Sequence, residues 1–144
     1  MIYLISIIKC NTQTGGFMSK VMIVDDEKDL VYLLKVILEK DGFEVLEAFD
    51  GNEAHEKLVT IVNKDNLPDV ILLDIMMPVM DGYTLQAKLQ DNYRLNEIPI
   101  IILTAKGQTR DLFELASNVF AFVEKPFEPK NIVEMIKDAI NSKK

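Results

Sequence analysis

The runs VILLD at 70–74 and IIILT at 100–104 are apolar almost throughout. A strand of that kind has no face suited to water, so it belongs inside a sheet covered on both sides, the usual setting of parallel strands. The rest of the chain is spaced accordingly. Short β-type runs over Val21–Asp25, Phe43–Ala48, Val70–Asp74, Ile100–Thr104 and Phe120–Glu124 alternate with segments of helical period. Leu30, Leu33, Leu34, Ile37 and Leu38 recur at helical spacing, and Gly42 supplies the stop. Asn52–Val62, Tyr83–Gln90, Thr109–Ser117 and Pro129–Ile140 are expected to form four further helices. The last opens on Pro129, where a missing N–H costs little. The alternation predicts an α/β fold: a five-stranded parallel sheet with five helices on its two faces.

A chain of 144 residues, 49% hydrophobic, suits one compact domain with a real core. Its formal charge of −7 opposes a nonspecific grip on nucleic acid or an anionic membrane, which leaves proteins as the expected partners. The single cysteine, Cys10, has no partner for an internal disulfide and is too little for a zinc site, so a reducing, cytoplasmic setting is expected. The opening MIYLISIIKCNTQTGGF carries an apolar run too short to span a bilayer and lacks the basic start and small-residue cleavage site of a secretory signal. Residues 1–17 are read as an accessory extension, and 18–144 as the domain, standing alone.

Four of the strand candidates end in, or are followed by, a polar or charged residue. Asp25 and Asp26 close the first strand, Asp74 the third and Thr104 the fourth, and Lys125 follows the fifth. In a parallel sheet these ends share one edge, outside which ligands bind. Three carboxylates in one crevice repel each other and call for a cation, and a hard divalent ion such as Mg2+ takes oxygen ligands and tolerates one or two carboxylates beside phosphate. An aspartate held there is a candidate nucleophile toward a phosphoryl group, and Asp74 is placed for it. Lys125 offers a point charge to phosphoryl oxygens, and Thr104 a short hydroxyl donor. Taken singly, each has an ordinary explanation: Asp26 as the N-cap of the first helix, Thr104 as a β-former, Lys125 as a solvated loop residue. Their joint arrival at the ends of four strands is what singles them out.

At these residues, in VMIVDDE, DVILLDIMMPVMDGYTL, PIIILTA and FVEKPF, the chain resembles the receiver domain of two-component response regulators, from about Lys20 to Asn141. The resemblance implies a flavodoxin-like doubly wound sheet of order 2-1-3-4-5. It implies that Asp74 is the phosphoacceptor, with Asp26 and the Met76 carbonyl as direct Mg2+ ligands and Asp25 acting through water. Thr104 and Lys125 would contact the phosphoryl group, Phe122 would be the aromatic that changes rotamer on activation, and the Lys125–Pro126 bond would be cis. The implied donor is a histidine kinase or phosphotransfer protein. Asn118, Val119, Phe120 and Ala121 depart from the Gly-Ala-Asp-Asp that many receivers carry there.

The expected function is a switch, not a metabolic enzyme. An aspartyl-phosphate phosphatase would need an acid two residues after its nucleophile, where this chain has Met76. A phosphorylation-independent interaction module is the other alternative, disfavoured by the intact set of five residues. No G-x-G-x-x-G follows the first strand, which argues against a dinucleotide fold. His55 is read as a surface helix residue. Phe120 and Phe122, with Leu112, Phe113 and Leu115, are more apolar area than the core can take. They predict an exposed contact patch on the face made by helix four, strand five and helix five, serving an output protein or a homodimer.

Overall fold

The computed structural model describes residues 18–105 and 116–142. Five strands, β1 (Lys20–Val24), β2 (Glu44–Ala48), β3 (Val70–Asp74), β4 (Ile100–Thr104) and β5 (Val119–Glu124), form one sheet of order β2-β1-β3-β4-β5. Every pairing is parallel. β3 and β4 are buried at all five positions each, as their unbroken apolar runs require. The edge strands β2 and β5 are only partly covered.

Alternation along the strands divides the core in two. Met22, Val24, Ile71, Leu73, Ile100 and Ile102 face helices α2 (Gly51–Thr60) and α3 (Gly82–Gln90), meeting Ala54, Leu58, Leu85 and Leu89. Val21, Ile23, Val70, Leu72, Ile101 and Leu103 face α1 (Lys28–Lys40) and α4 (Pro129–Asn141), meeting Val31, Leu34, Leu38, Ile132 and Ile136. The sheet is doubly wound, as expected. The described residues hold four α-helices and one turn of 3-10 helix, Lys64–Asn66. The expected helix Thr109–Ser117 lies outside the described residues except at Ala116 and Ser117, which are not helical.

The helix ends follow local chemistry. Gly42, at φ +94°, ends α1: its N–H donates to the Glu39 carbonyl at 3.1 Å and that of Phe43 to Leu38 at 3.0 Å, the paired bonds of a Schellman motif. Phe43 and Leu38 then share one core cluster. Asp50 and Asp81 cap α2 and α3, accepting from the N–H groups of Glu53 and Thr84 at 2.8 and 2.9 Å. Asp26 does not cap α1; the N-cap is Glu27, with no side-chain hydrogen bond to the helix.

Candidate functional site

Because β1, β3, β4 and β5 are neighbours and parallel, their C-terminal ends meet along one edge. β1 runs into Asp25 and Asp26, β3 ends on Asp74, β4 on Thr104, and β5 leads to Lys125. Carboxylate oxygens of Asp25, Asp26 and Asp74 all lie within 4.8 Å of one another. Asp25 is fully buried and Asp74 is 7% exposed, while Asp26 opens to solvent.

Lys125 crosses this cluster. Its Nζ donates to Asp25 Oδ2 at 2.9 Å, Glu27 Oε1 at 3.1 Å and Asp74 Oδ1 at 3.2 Å, so each of its three N–H bonds has a carboxylate. The Lys125–Pro126 bond is cis, as expected, and the Lys125 N–H donates to the Thr104 carbonyl at 2.7 Å. Asp25 has both oxygens engaged, since Oδ1 accepts the Glu27 N–H at 2.9 Å. Burial and double engagement make it a poorer direct ligand than the open Asp26. Thr104, 2% exposed, stands in register with Glu124, and Phe122 with Ile102 two positions earlier. Phe122 is half-buried against the α2/α3 side of the core. Met76 begins the turn after β3 with its side chain exposed.

That turn is drawn against the sheet by Gly82, whose N–H donates to the Ile75 carbonyl at 2.8 Å. A Cβ on Gly82 would stand 2.5 Å from the Asp74 carbonyl oxygen and 2.8 Å from Ile75 Cα, so any side chain there would displace the strand end that presents Asp74. Neither Gly82 nor Glu27 was singled out as functional from sequence. The third acid of the DDE run and the Asp-Gly pair at 81–82 were the visible signals.

The electrostatics are unbalanced toward negative charge. Burial, then the neighbouring Asp25 charge, push Asp74 up from 3.8 to about 6 despite the opposing pull of Lys125. Burial pushes Lys125 down, but its hydrogen bond to Asp25 and the charges of Asp25 and Asp74 outweigh this and hold it above its ordinary value. An all-oxygen donor set, two buried carboxylates and an incompletely neutralised charge fit a small hard divalent cation. Asp25, Asp26 and Asp74 are the carboxylates placed close enough together to hold one.

A pH dependence follows for the metal-free protein. Asp74 binds its proton more tightly folded than unfolded, so its contribution to stability is complete below about pH 4 and lost as pH rises through about 6. Since Asn imitates the protonated carboxyl, Asp74→Asn should match wild type in chelator at pH 4 and exceed it by about 3 kcal/mol at pH 7. Urea melts across that range test this; a constant difference between the two proteins would refute it.

A profile of the response regulator receiver domain matches residues 21–137. The chain is 36% identical over 121 residues to the response regulator GtcR of Aneurinibacillus migulanus, covering 83% of this chain and 47% of that protein. It is 38% identical over 120 residues to the transcriptional regulatory protein SrrA of Staphylococcus aureus, covering 83% and 46%. The chain thus spans about half the length of these curated relatives. The receiver domain of a Francisella response regulator superposes with a TM-score of 0.74 at 31% identity, over 88% of this chain and 99% of that one.

Proposed function

The chain belongs to the response regulator receiver family of two-component signalling, and on that premise we propose that it accepts a phosphoryl group from a phosphohistidine onto Asp74. The observation that carries the reading is the convergence of Asp25, Asp26, Asp74 and Lys125 at one sheet edge, with the buried Asp74 bridged to the lysine through Oδ1 while both oxygens of the buried Asp25 are engaged. Asp74 Oδ attacks phosphorus as the bond to the donor nitrogen breaks, and the imidazole departs. Lys125 then exchanges part of its carboxylate contacts for the new phosphoryl oxygens, and Thr104, at the neighbouring strand end, offers its hydroxyl to another. Asp26, Asp74 and the Met76 carbonyl would hold Mg2+, which would supply positive charge to the crowded oxygens.

A groove of about 380 Å3 lined by Glu27, Leu30, Leu33, Lys125 and Phe127 opens beside the lysine. Its apolar walls beside the acceptor suit a docked histidine kinase or phosphotransfer protein. The same chain is a switch rather than a turnover enzyme: Met76 places no acid or base where water would be activated against the phosphoaspartate. The test is incubation with Mg2+ and acetyl phosphate, with mass analysis of the Asp74 peptide. An adduct labile to base supports the reading; an unmodified Asp74 or an acid-stable phosphate elsewhere defeats it.

Output is assigned to the face bearing β5. Phe120 is 40% exposed there, and Phe122 lies inward of it, in register two positions before the level of Thr104. Movement of Thr104 toward a phosphoryl group would change the packing available to Phe122 and so the surface offered to an output protein or second copy. Leu112, Phe113 and Leu115 lie outside the described residues. Phe120→Ser should shift stability by no more than about 0.5 kcal/mol, preserve labelling at Asp74 and weaken the phosphorylation-dependent contact. A large drop in melting temperature would place Phe120 in the core instead.

A further inference from the structure

The turn between β3 and α3 is held in a strained form by a residue of another helix. Val79 has φ +68°, and the Met80 N–H donates to the Pro78 carbonyl at 2.7 Å across it. A positive φ at the centre of such a bond marks the rarer, strained kind of γ-turn. The Val79 side chain is 81% exposed, so burial does nothing to offset that strain. The surrounding backbone must hold it.

One end of the loop is closed by Gly82 and Ile75. The other is held by Gly51, whose N–H donates to the Met80 carbonyl at 3.0 Å. A Cβ on Gly51 would stand 2.5 Å from that oxygen and 3.0 Å from Met80 Cβ and Cγ, so only glycine admits this approach. Gly51 is itself held firmly, in the first turn of α2. Asp50 accepts the Glu53 N–H at 2.8 Å, and Glu53 Oε1 accepts the Phe49 N–H at 2.8 Å, two reciprocal bonds bracketing Gly51. Lys57 anchors Glu53 from the next turn at 3.0 Å.

We propose that Gly51 is a positioning residue for the phosphoacceptor loop, its N–H and its lack of a side chain together fixing the Met80 carbonyl and, through the turn at Val79, the Met76 carbonyl. This rests on the reading of that loop as part of a Mg2+ and phosphoryl site, and it makes the first turn of α2 a remote determinant of metal affinity. Groups that orient a ligand without touching the metal typically matter by about 10- to 100-fold in affinity.

The experiment is a Mg2+ titration of wild type, Gly51→Ala and Leu58→Ala followed by amide NMR shifts, beside thermal melts in chelator. Leu58 is fully buried in the core seven residues further along α2, so its truncation lowers stability while leaving the Gly51 N–H and its bond to the Met80 carbonyl in place. Gly51→Ala should bind Mg2+ about 10- to 100-fold more weakly, whereas Leu58→Ala should keep wild-type affinity despite a lowered melting temperature. In wild type the Gly51 amide should shift with the same Mg2+ midpoint as that of Asp74. Wild-type affinity in Gly51→Ala overturns the proposal, as does equal weakening in both variants. Should Gly51→Ala fail to fold, a Gly51 amide indifferent to Mg2+ in wild type overturns it. A wild type that binds no Mg2+ overturns both this inference and the reading beneath it; normal binding with an indifferent Gly51 overturns this inference alone.

Discussion

Asp74→Asn is expected to incorporate no base-labile phosphate from a small phosphodonor under conditions that label the wild type. An amide in place of the carboxylate removes the nucleophile while keeping its size, so the loss is chemical and not steric. The neighbouring acids are poor substitutes. Asp25 is fully buried with both oxygens occupied by the Glu27 N–H and Lys125. Asp26 is exposed, and no ion pair or hydrogen bond of its side chain occurs among the described residues. Unfolding does not explain the loss either, because the burial and like charge that raise Asp74 to about 6 are relieved by the substitution. The variant should therefore melt higher than wild type in chelator at pH 7 while remaining unlabelled. Incorporation into Asp74→Asn at the wild-type rate would show that another residue is the acceptor.

Much of this site was legible because its residues lie at the ends of apolar runs. VILLD and IIILT read as central strands, and β3 and β4 occupy the middle of the sheet with every position buried. The other three strands differ by a residue: β1 runs Lys20–Val24 rather than Val21–Asp25, and at the unevenly covered edges β2 begins at Glu44 rather than Phe43 and β5 at Val119 rather than Phe120. The order of the strands came from the resemblance, since hydropathy along a chain says little about which strands are neighbours.

What stayed unread depends on how separate loops approach each other. Glu27 looks like the surface end of an acidic run, yet it shares Lys125, ninety-eight positions away, with Asp25 and Asp74. Gly51 and Gly82 each follow an aspartate, which reads as a turn or cap and gives no hint of the carbonyl each must admit. Gln86 and Asn118 look like helix surface and loop, but both are buried and joined at 2.8 Å between α3 and the start of β5. Each polar group is tolerable in the core only because the other is there.

Lys125→Met should have the opposite effect on stability from Asp74→Asn, although both change the same ion cluster. Methionine keeps most of the stem and removes the charge, leaving the fully buried Asp25 without the ammonium 2.9 Å away and Asp74 without the one at 3.2 Å. Removing one partner from a buried ion pair costs about 3–5 kcal/mol, because the other charge is left uncompensated. The loss should sit near the lower end, about 3 kcal/mol in chelator at neutral pH, since Asp74 can take up a proton in response. Its pH dependence identifies the cause. Lys125 is raised above its ordinary 10.5, so its own contribution is fully present below that value and constant from pH 4 to 8. Any change in the penalty across that interval therefore belongs to the carboxylates, and the penalty should shrink as they protonate on acidification. Mg2+ should also raise the melting temperature of Lys125→Met more than that of wild type, because the cation supplies charge that the lysine no longer does. A Lys125→Met protein as stable as wild type at pH 7 in chelator would show that the lysine leaves the acidic cluster in solution, and with it the electrostatic account of the site.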